Sequence, residues 1–303
     1  MSAFLLLALC MSAGIVIGRS GKAPPALAGG ISWFAINIAL PALALHLGAS
    51  LRLEASLAFL VASQWIIFIG AWLLVAAVGR ALSWSPLRTG ALIIVAGLGN
   101  TAFMGYPLIE ALRGRAALPY AVVVDQAGSF IVFATLGLVV TAIYSGRRVD
   151  AWATAKRALT FPGFIGFALG LLAGTTVGLW APLDLALERV GLTLTPLAVF
   201  AVGVQLQLTA IRGEWLALLV ALGWKLVAAP LVVLGLGLVL GVAAPVLDIA
   251  VLQSAMAPMI SSVLLAEQEG LEGRLATAIL GVGMIASLAT VPLAGALLQM
   301  LLG

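Results

Sequence analysis

Long apolar runs, separated by short polar or Pro/Gly-rich breaks, fill the chain and predict ten helices over about 2–18, 27–48, 55–79, 88–110, 117–144, 161–180, 185–208, 214–240, 246–267 and 275–301. A helix crossing the hydrocarbon core needs roughly 20 predominantly apolar residues. Each run is near that length, and the connections between them are too short to hold a soluble domain. The expected fold is an all-α integral membrane protein of ten transmembrane spans.

Composition supports the same class. Hydrophobic residues make up 63% of the 303 positions and charged residues 9%, with a mean hydropathy of +1.23. Soluble domains carry about a quarter charged residues, so lipid replaces water as the main solvent here. The formal charge of +4 is read as loop charge rather than as a nucleic-acid footprint, because Lys and Arg concentrate in cytoplasmic loops. With Lys225 set aside as intramembrane, odd-numbered connections hold Arg19, Lys22, Arg80, Arg88, Arg147, Arg148, Lys156, Arg157, Arg212 and Arg274. Even-numbered connections hold Arg52, Arg113, Arg115 and Arg189. Odd loops are therefore expected in the cytoplasm and both termini on the non-cytoplasmic side of the plasma membrane, the inner membrane if the source is bacterial. The first run has no basic residue before it and Arg19 and Lys22 after it, which reads as a retained helix rather than a cleaved signal. The single cysteine, Cys10, excludes an internal disulfide and a multi-cysteine metal site.

The two halves, 1–150 and 151–303, resemble each other weakly. Leu-Arg-Leu-Glu at 51–54 matches Ile-Arg-Gly-Glu at 211–214, Trp65 matches Trp224, and Gly114-Arg115 matches Gly273-Arg274. These matches share nearly one offset, as expected of a duplicated five-span unit. Five is odd, so the second copy enters from the opposite side and the repeats are inverted. Carriers built this way place their site where two interrupted helices meet at mid-membrane. The fourth run is interrupted at Gly99-Asn100, with Pro107 following, and the ninth at Pro258-Met259. Pro41 and Pro196 are further expected helix breaks. Lipid cannot satisfy the backbone groups that a break frees, so both interruptions are expected inside protein or against a wet cavity.

Such a break exposes amide groups at the start of the second half-helix, where the helix dipole favours an anion. Asn100 and Thr101 add neutral hydrogen-bonding groups, which suits a site that must release what it binds. Gln126, Gln253, Ser254, Ser261 and Ser262 are further candidates, each equally explained by helix–helix hydrogen bonding. Asp125 and Lys225 lie deep within spans, where a charge needs a partner or a purpose. Asp125 is a candidate proton carrier. Lys225 is a candidate counter-charge for a bound anion, or the partner of Asp125 in a structural pair. His46 falls near the end of the second run and reads as an interfacial residue.

At these residues the sequence resembles the auxin efflux carrier family, which includes the plant auxin carriers and bacterial malonate-type carriers. The resemblance is carried by Gly-Asn-Thr-Ala-Phe-Met-Gly-Tyr-Pro-Leu at 99–108 and by the segment from Gln253 to Gly270. Val-Val-Asp-Gln at 123–126, Trp-Lys-Leu-Val-Ala-Ala-Pro at 224–230 and Ile-Ala-Leu-Pro at 38–41 add to it. It implies ten helices with broken, crossing fourth and ninth spans and a substrate carboxylate near Asn100. It also implies a scaffold of spans 1, 2, 6 and 7, a transport domain of spans 3–5 and 8–10, an elevator-like slide, and a homodimer through the scaffold. The connection at 145–160 is short, unlike the long hydrophilic loop of the plant carriers. The third span has Ser63-Gln64-Trp65 where those carriers place an acidic residue and a lysine, which argues against auxin itself as the cargo.

The expected function is secondary transport of a small organic anion, with membrane lipid as surroundings, no nucleic-acid partner, no cofactor and no metal site. A proton or Na⁺ is the candidate coupling ion, and a sodium-coupled symporter of the bile-acid type is the alternative carrier. A membrane-embedded enzyme is disfavoured, since one histidine and one cysteine cannot build a histidine-rich metal centre and no Ser/His/Asp spacing stands out. A channel would show conductance far above a carrier's turnover.

Overall fold

The computed structural model describes residues 2–146, 152, 156, 159–206 and 213–302. Arg147, Arg148, Arg157 and Arg212 of the charge argument, and positions 211 and 212 of the repeat argument, lie outside the described residues. Among the described residues the chain is all-helical, with no strand. The helices are α1 (Ser2–Arg19), α2 (Leu27–Ser50), α3 (Leu57–Ala81), α4 (Pro86–Gly97), α5 (Tyr106–Arg113) and α6 (Arg115–Ser145). They continue with α7 (Pro162–Thr175), α8 (Ala181–Gln205), α9 (Trp215–Val239), α10 (Val246–Ser254), α11 (Ile260–Gln268) and α12 (Gly273–Leu302).

Six of them, α2, α3, α6, α8, α9 and α12, are long and apolar enough to cross a membrane, and much of their surface faces outward as Leu, Ile, Val and Trp. The protein is a multi-pass membrane protein. The shorter apolar helices include α4 and α7, and the predicted fourth and ninth runs are each split into two pieces, α4 with α5 and α10 with α11.

Three π-helical turns have a common physical origin. Ala35–Ala39 precedes Pro41, Thr101–Gly105 precedes Pro107, and Trp224–Ala228 precedes Pro230. A proline ring clashes with the carbonyl four residues back and donates no hydrogen bond to it. That carbonyl belongs to Asn37, Phe103 and Leu226, each inside the widened turn, so the turn relieves the clash without ending the helix. Pro41 therefore does not break its helix: α2 runs through it, with the Leu40 amide donating to the Ala35 carbonyl across the wide turn. Around Pro196 the helix is interrupted: it stops at Gly191, Leu192 and Thr193 form a turn, and Pro196 sits in the first turn of Leu194–Gln205, where a missing amide costs little. Pro292 stands inside α12 without a π turn.

The chain divides into two compact units, each drawing on both halves of the sequence. The first comprises Met1–Glu54, Ala102–Val122 and Leu159–Leu206; the second comprises Ala55–Thr101, Val123–Ala158 and Gln207–Gly303. The division implied by the resemblance kept spans 3–5 whole, whereas Ala102–Val122 groups with the first unit.

In the first unit, glycines press helix backbones together. A Cβ added at Gly166, Gly170 or Gly174 of α7 would stand 2.4, 2.4 and 2.3 Å from the carbonyl oxygens of Pro41, Leu45 and Ala49 in α2. Gly14 and Gly18 of α1 meet the Phe200 and Val204 carbonyls of α8 at 2.3 and 2.6 Å in the same way. Small residues four apart allow this approach, which side chains would forbid. Polar pairs sit at the helix ends: His46 Nδ1 lies 2.6 Å from Asp184, and Glu110 accepts from Arg115 Nε at 3.1 Å. In the second unit, Arg88 pairs with Glu214, lies 3.9 Å from Glu272 and stacks over Trp84, gathering three odd-numbered connections at one end.

Candidate functional site at the paired helix breaks

The two interruptions face each other in the second unit. Gly99 and Pro258 form an antiparallel bridge, flanked by hydrogen bonds from the Asn100 amide to the Ala257 carbonyl at 2.8 Å and from the Met259 amide to the Leu98 carbonyl at 3.0 Å. In this type of pairing the residues on either side make the bonds. Proline, which has no amide hydrogen, is therefore tolerated opposite Gly99. Each break thus satisfies backbone groups that the other leaves open, and the unwound segments can lie buried in an apolar molecule.

The space beside Gly99 is filled by what packs on it. A Cβ there would stand 2.8 Å from Lys225 Nζ and 3.7 Å from the Gln253 carbonyl oxygen. Lys225 occupies the π turn before Pro230, is fully buried, and its Nζ has no hydrogen-bond partner among the described residues.

A second set of polar side chains continues from the bridge. Thr101 Oγ1 donates to Asp125 Oδ1 at 2.5 Å and Gln126 Nε2 donates to Asp125 Oδ2 at 2.6 Å, so both carboxylate oxygens accept. Gln253 Nε2 donates to the Thr101 carbonyl at 3.3 Å, and Ser129 Oγ to the Gly99 carbonyl at 3.5 Å. Asn100, Thr101, Asp125, Gln126, Ser129, Lys225 and Gln253 are each at most 4% exposed. The Oε1 atoms of Gln126 and Gln253 have no donor among the described residues. Asp125 and Gln126 belong to another π turn, Val123–Ser129.

The candidates named from sequence divide accordingly. Gly99, Asn100, Thr101, Asp125, Gln126, Lys225, Gln253, Pro258 and Met259 come together through the bridge, its hydrogen bonds and the contact of Lys225 with Gly99. Ser262 is buried but is engaged locally, its hydroxyl donating to the Met259 carbonyl three residues back at 2.6 Å, and Ser261 is half-buried in the first turn of α11. Pro107 belongs to the first unit, at the start of α5. Lys225 and Asp125 are not joined by a hydrogen bond: the Lys225 amine makes none among the described residues, and the carboxylate engages Thr101 and Gln126. Sequence reasoning missed Ser129, although its position four residues after Asp125 puts both on one helix face.

Polar groups in a dry surround are electrostatically stronger than in water. The residues around the bridge thus combine donors, acceptors and one lysine amine at a place where two helices have no continuous backbone.

A family profile described as membrane transport protein matches residues 1–294. An archaeal protein named as an uncharacterized transporter, from Methanothermobacter thermautotrophicus strain Delta H, is 27% identical over 210 residues, covering 68% of this chain and 67% of that protein. With its two broken helices paired at Gly99 and Pro258 and a profile match over nearly its whole length, the chain belongs to the auxin efflux carrier-type family of membrane transport proteins.

Proposed function

We propose that the protein is a secondary carrier of a small organic anion, bound as its carboxylate at the paired breaks near Asn100. The reading rests above all on the antiparallel pairing of Gly99 with Pro258, which brings two helix ends and seven buried polar side chains to one place. The carrier has ten spans in two inverted five-helix repeats with both termini outside. An elevator-type slide carries the site across, and a homodimer forms through the spans of the first unit. A helix start offers amide hydrogens and a partial positive charge to a carboxylate, and the Asn100 side chain adds a hydrogen bond. Asp125 is the candidate proton carrier of the cycle, held within reach of the breaks by Thr101.

Uptake of radiolabelled malonate into proteoliposomes, with imposed proton or Na⁺ gradients or none, tests the reading. Accumulation above equilibrium in any gradient, or malonate exchange without one, supports it. Passage at channel rates, or none for malonate and a panel of other mono- and dicarboxylates, rejects it. Asn100→Ala is expected to weaken binding about ten- to hundredfold, since a hydrogen bond to a charged group contributes roughly 1.5–3 kcal/mol. Calorimetry on folded variant decides this, and unchanged affinity would move the anion elsewhere. Asp125→Asn preserves shape and is expected to abolish uptake driven by a pH gradient while sparing part of the exchange. Gradient-driven uptake at the wild-type rate would leave Asp125 a structural role only.

A further inference from the structure

The outer face of α3 carries a groove. Ile69, Trp72, Leu73, Ala76, Ala77 and Arg80 recur three and four residues apart, so they share one face of the helix. With Tyr144 of α6 they line an open cleft of about 540 Å³, all of it within the second unit. That volume falls within the roughly 300–1,000 Å³ of clefts that hold small ligands. Leu73 is 68% exposed and Ile69 44%, so the cleft opens onto the apolar surface of the protein.

Small residues and fixed aromatic walls give the groove its shape. Ala76 and Ala77 leave room between Leu73 and Arg80. The Trp72 ring stands edge-on to Phe68 with centroids 6.5 Å apart, and Phe68 is fully buried. Tyr144 packs where Gly90 of α4 has no side chain, its Cβ 2.5 Å from the place a Cβ there would take. Both walls are thus backed by the core of the unit, and the cleft exists before anything enters it.

The length and the ends of the groove match a lipid. From Arg80 to Ile69 the helix rises about 16 Å, roughly half of the 30 Å hydrocarbon core. Ile69 lies midway along α3 and Arg80 in its last turn. The groove therefore runs the depth of one leaflet, apolar within and cationic at its outer end. Arg80 is exposed, and its guanidinium has no hydrogen bond or ion pair among the described residues. The Tyr144 hydroxyl has no hydrogen bond among them either. A guanidinium offers paired donors to a phosphate, and basic pockets between membrane helices recognise acidic lipid heads. A free anion would satisfy Arg80 and leave the apolar length empty. A zwitterionic lipid would fill that length while its own cation competes for the phosphate.

We propose that this groove holds one acidic phospholipid, an acyl chain along Ile69, Leu73 and Ala77 and the phosphate against Arg80. The site shares no residue with the paired breaks, so it stands whether or not a carboxylate is the cargo.

The test is thermal unfolding of the purified full-length protein in detergent, with phosphatidylglycerol or phosphatidylcholine of the same acyl chains added. Phosphatidylglycerol is expected to raise the wild-type midpoint by roughly 5 °C at about a hundredfold excess over its dissociation constant, and phosphatidylcholine by much less. Arg80→Gln removes the charge at an exposed position and is expected to erase the difference between the lipids. Ala77→Phe fills the groove, keeps Arg80, and is expected to erase it too. Arg19→Gln, at the exposed end of α1 in the first unit, is expected to keep the whole difference. Equal shifts with both lipids in wild type overturn the proposal, as does a difference that survives either groove variant. Loss of the difference in Arg19→Gln overturns it as well, because the lipid would then be responding to overall charge.

Glycerophosphoglycerol, the same head without acyl chains, is expected to give no shift. A shift as large as that of the lipid would make this a site for a free phosphate ester and overturn the lipid assignment. Native mass spectrometry is expected to retain one phosphatidylglycerol per wild-type chain and about tenfold less on Arg80→Gln. Equal retention on the two proteins overturns the role of Arg80 and the proposal with it.

Discussion

Glycines are used in opposite ways in the two units. In the first, the nearest atoms to an added Cβ at Gly14, Gly18, Gly166, Gly170 and Gly174 are backbone carbonyl oxygens, at 2.3–2.6 Å. In the second, Gly70 receives the Trp224 ring, Gly97 the Phe68 ring, Gly128 the Gln64 stem, Gly237 the Leu247 methyl and Gly99 the Lys225 amine. The first pattern welds main chain to main chain, and nothing there can rotate aside to admit a larger residue. The second makes sockets for side chains, which can change rotamer. A unit whose helices touch through backbone is suited to hold one shape. A unit packed through side chains around two broken helices has more ways to adjust, and the polar site lies in that unit.

The comparison breaks most sharply at Gly170. Gly170→Ala places a methyl 2.4 Å from the Leu45 carbonyl oxygen. Relief requires α2 and α7 to separate along a seam that includes Gly166 and Gly174. Overpacking of this kind costs about 3 kcal/mol, and a loss of roughly 10 °C in unfolding midpoint is expected. A shift under about 2 °C would show that the two helices are not clamped. Trp224→Phe comes next. It removes the hydrogen bond from Nε1 to the Ile67 carbonyl at 3.2 Å and half-empties the socket at Gly70. About 2 kcal/mol is expected from the lost bond and packing together, read as a midpoint several degrees lower. Gly70→Ala in the Trp224→Phe background should then be tolerated better than in wild type, because the smaller ring leaves room. Equal costs in both backgrounds would mean the ring does not fill that glycine.

Most of the helical layout was legible in the sequence because apolar length is a direct physical requirement of a bilayer. The predicted runs at 55–79 and 214–240 fall within two or three residues of α3 and α9. The breaks were legible too, since Gly99-Asn100 and Pro258 interrupt strongly apolar stretches. Their mutual pairing was expected only from the inverted-repeat plan, because no local pattern encodes a bridge across about 160 residues. Proline alone proved a poor marker of a break. At Pro41 a π turn absorbs the ring, whereas at Pro258 the chain unwinds to meet a partner segment. The hydrogen bond from Thr101 to Asp125 and the seat of Lys225 on Gly99 were not legible, because they depend on how separate helices approach in space.

The smallest effect is expected at Gly128, and it sharpens the comparison with Gly170 because the substitution is the same. A Cβ at Gly128 would lie 2.8 Å from Gln64 Cγ and 3.6 Å from the Val61 Cα, so most of the conflict is with a flexible stem. Gln64 is buried and its Nε2 donates to Ser63 Oγ on its own helix, a bond it can remake after a change of rotamer. Replacing glycine by alanine inside a helix also contributes about 1 kcal/mol in the favourable direction, which offsets much of the cost of moving Gln64. Gly128→Ala is therefore expected to unfold within roughly 3 °C of wild type, while Gly170→Ala falls far below it. Thermal unfolding of the two variants side by side checks the contrast. A large loss at Gly128 would mean that Gln64 is locked in place, and that the second unit is packed as rigidly at its sockets as the first is along its glycine seams.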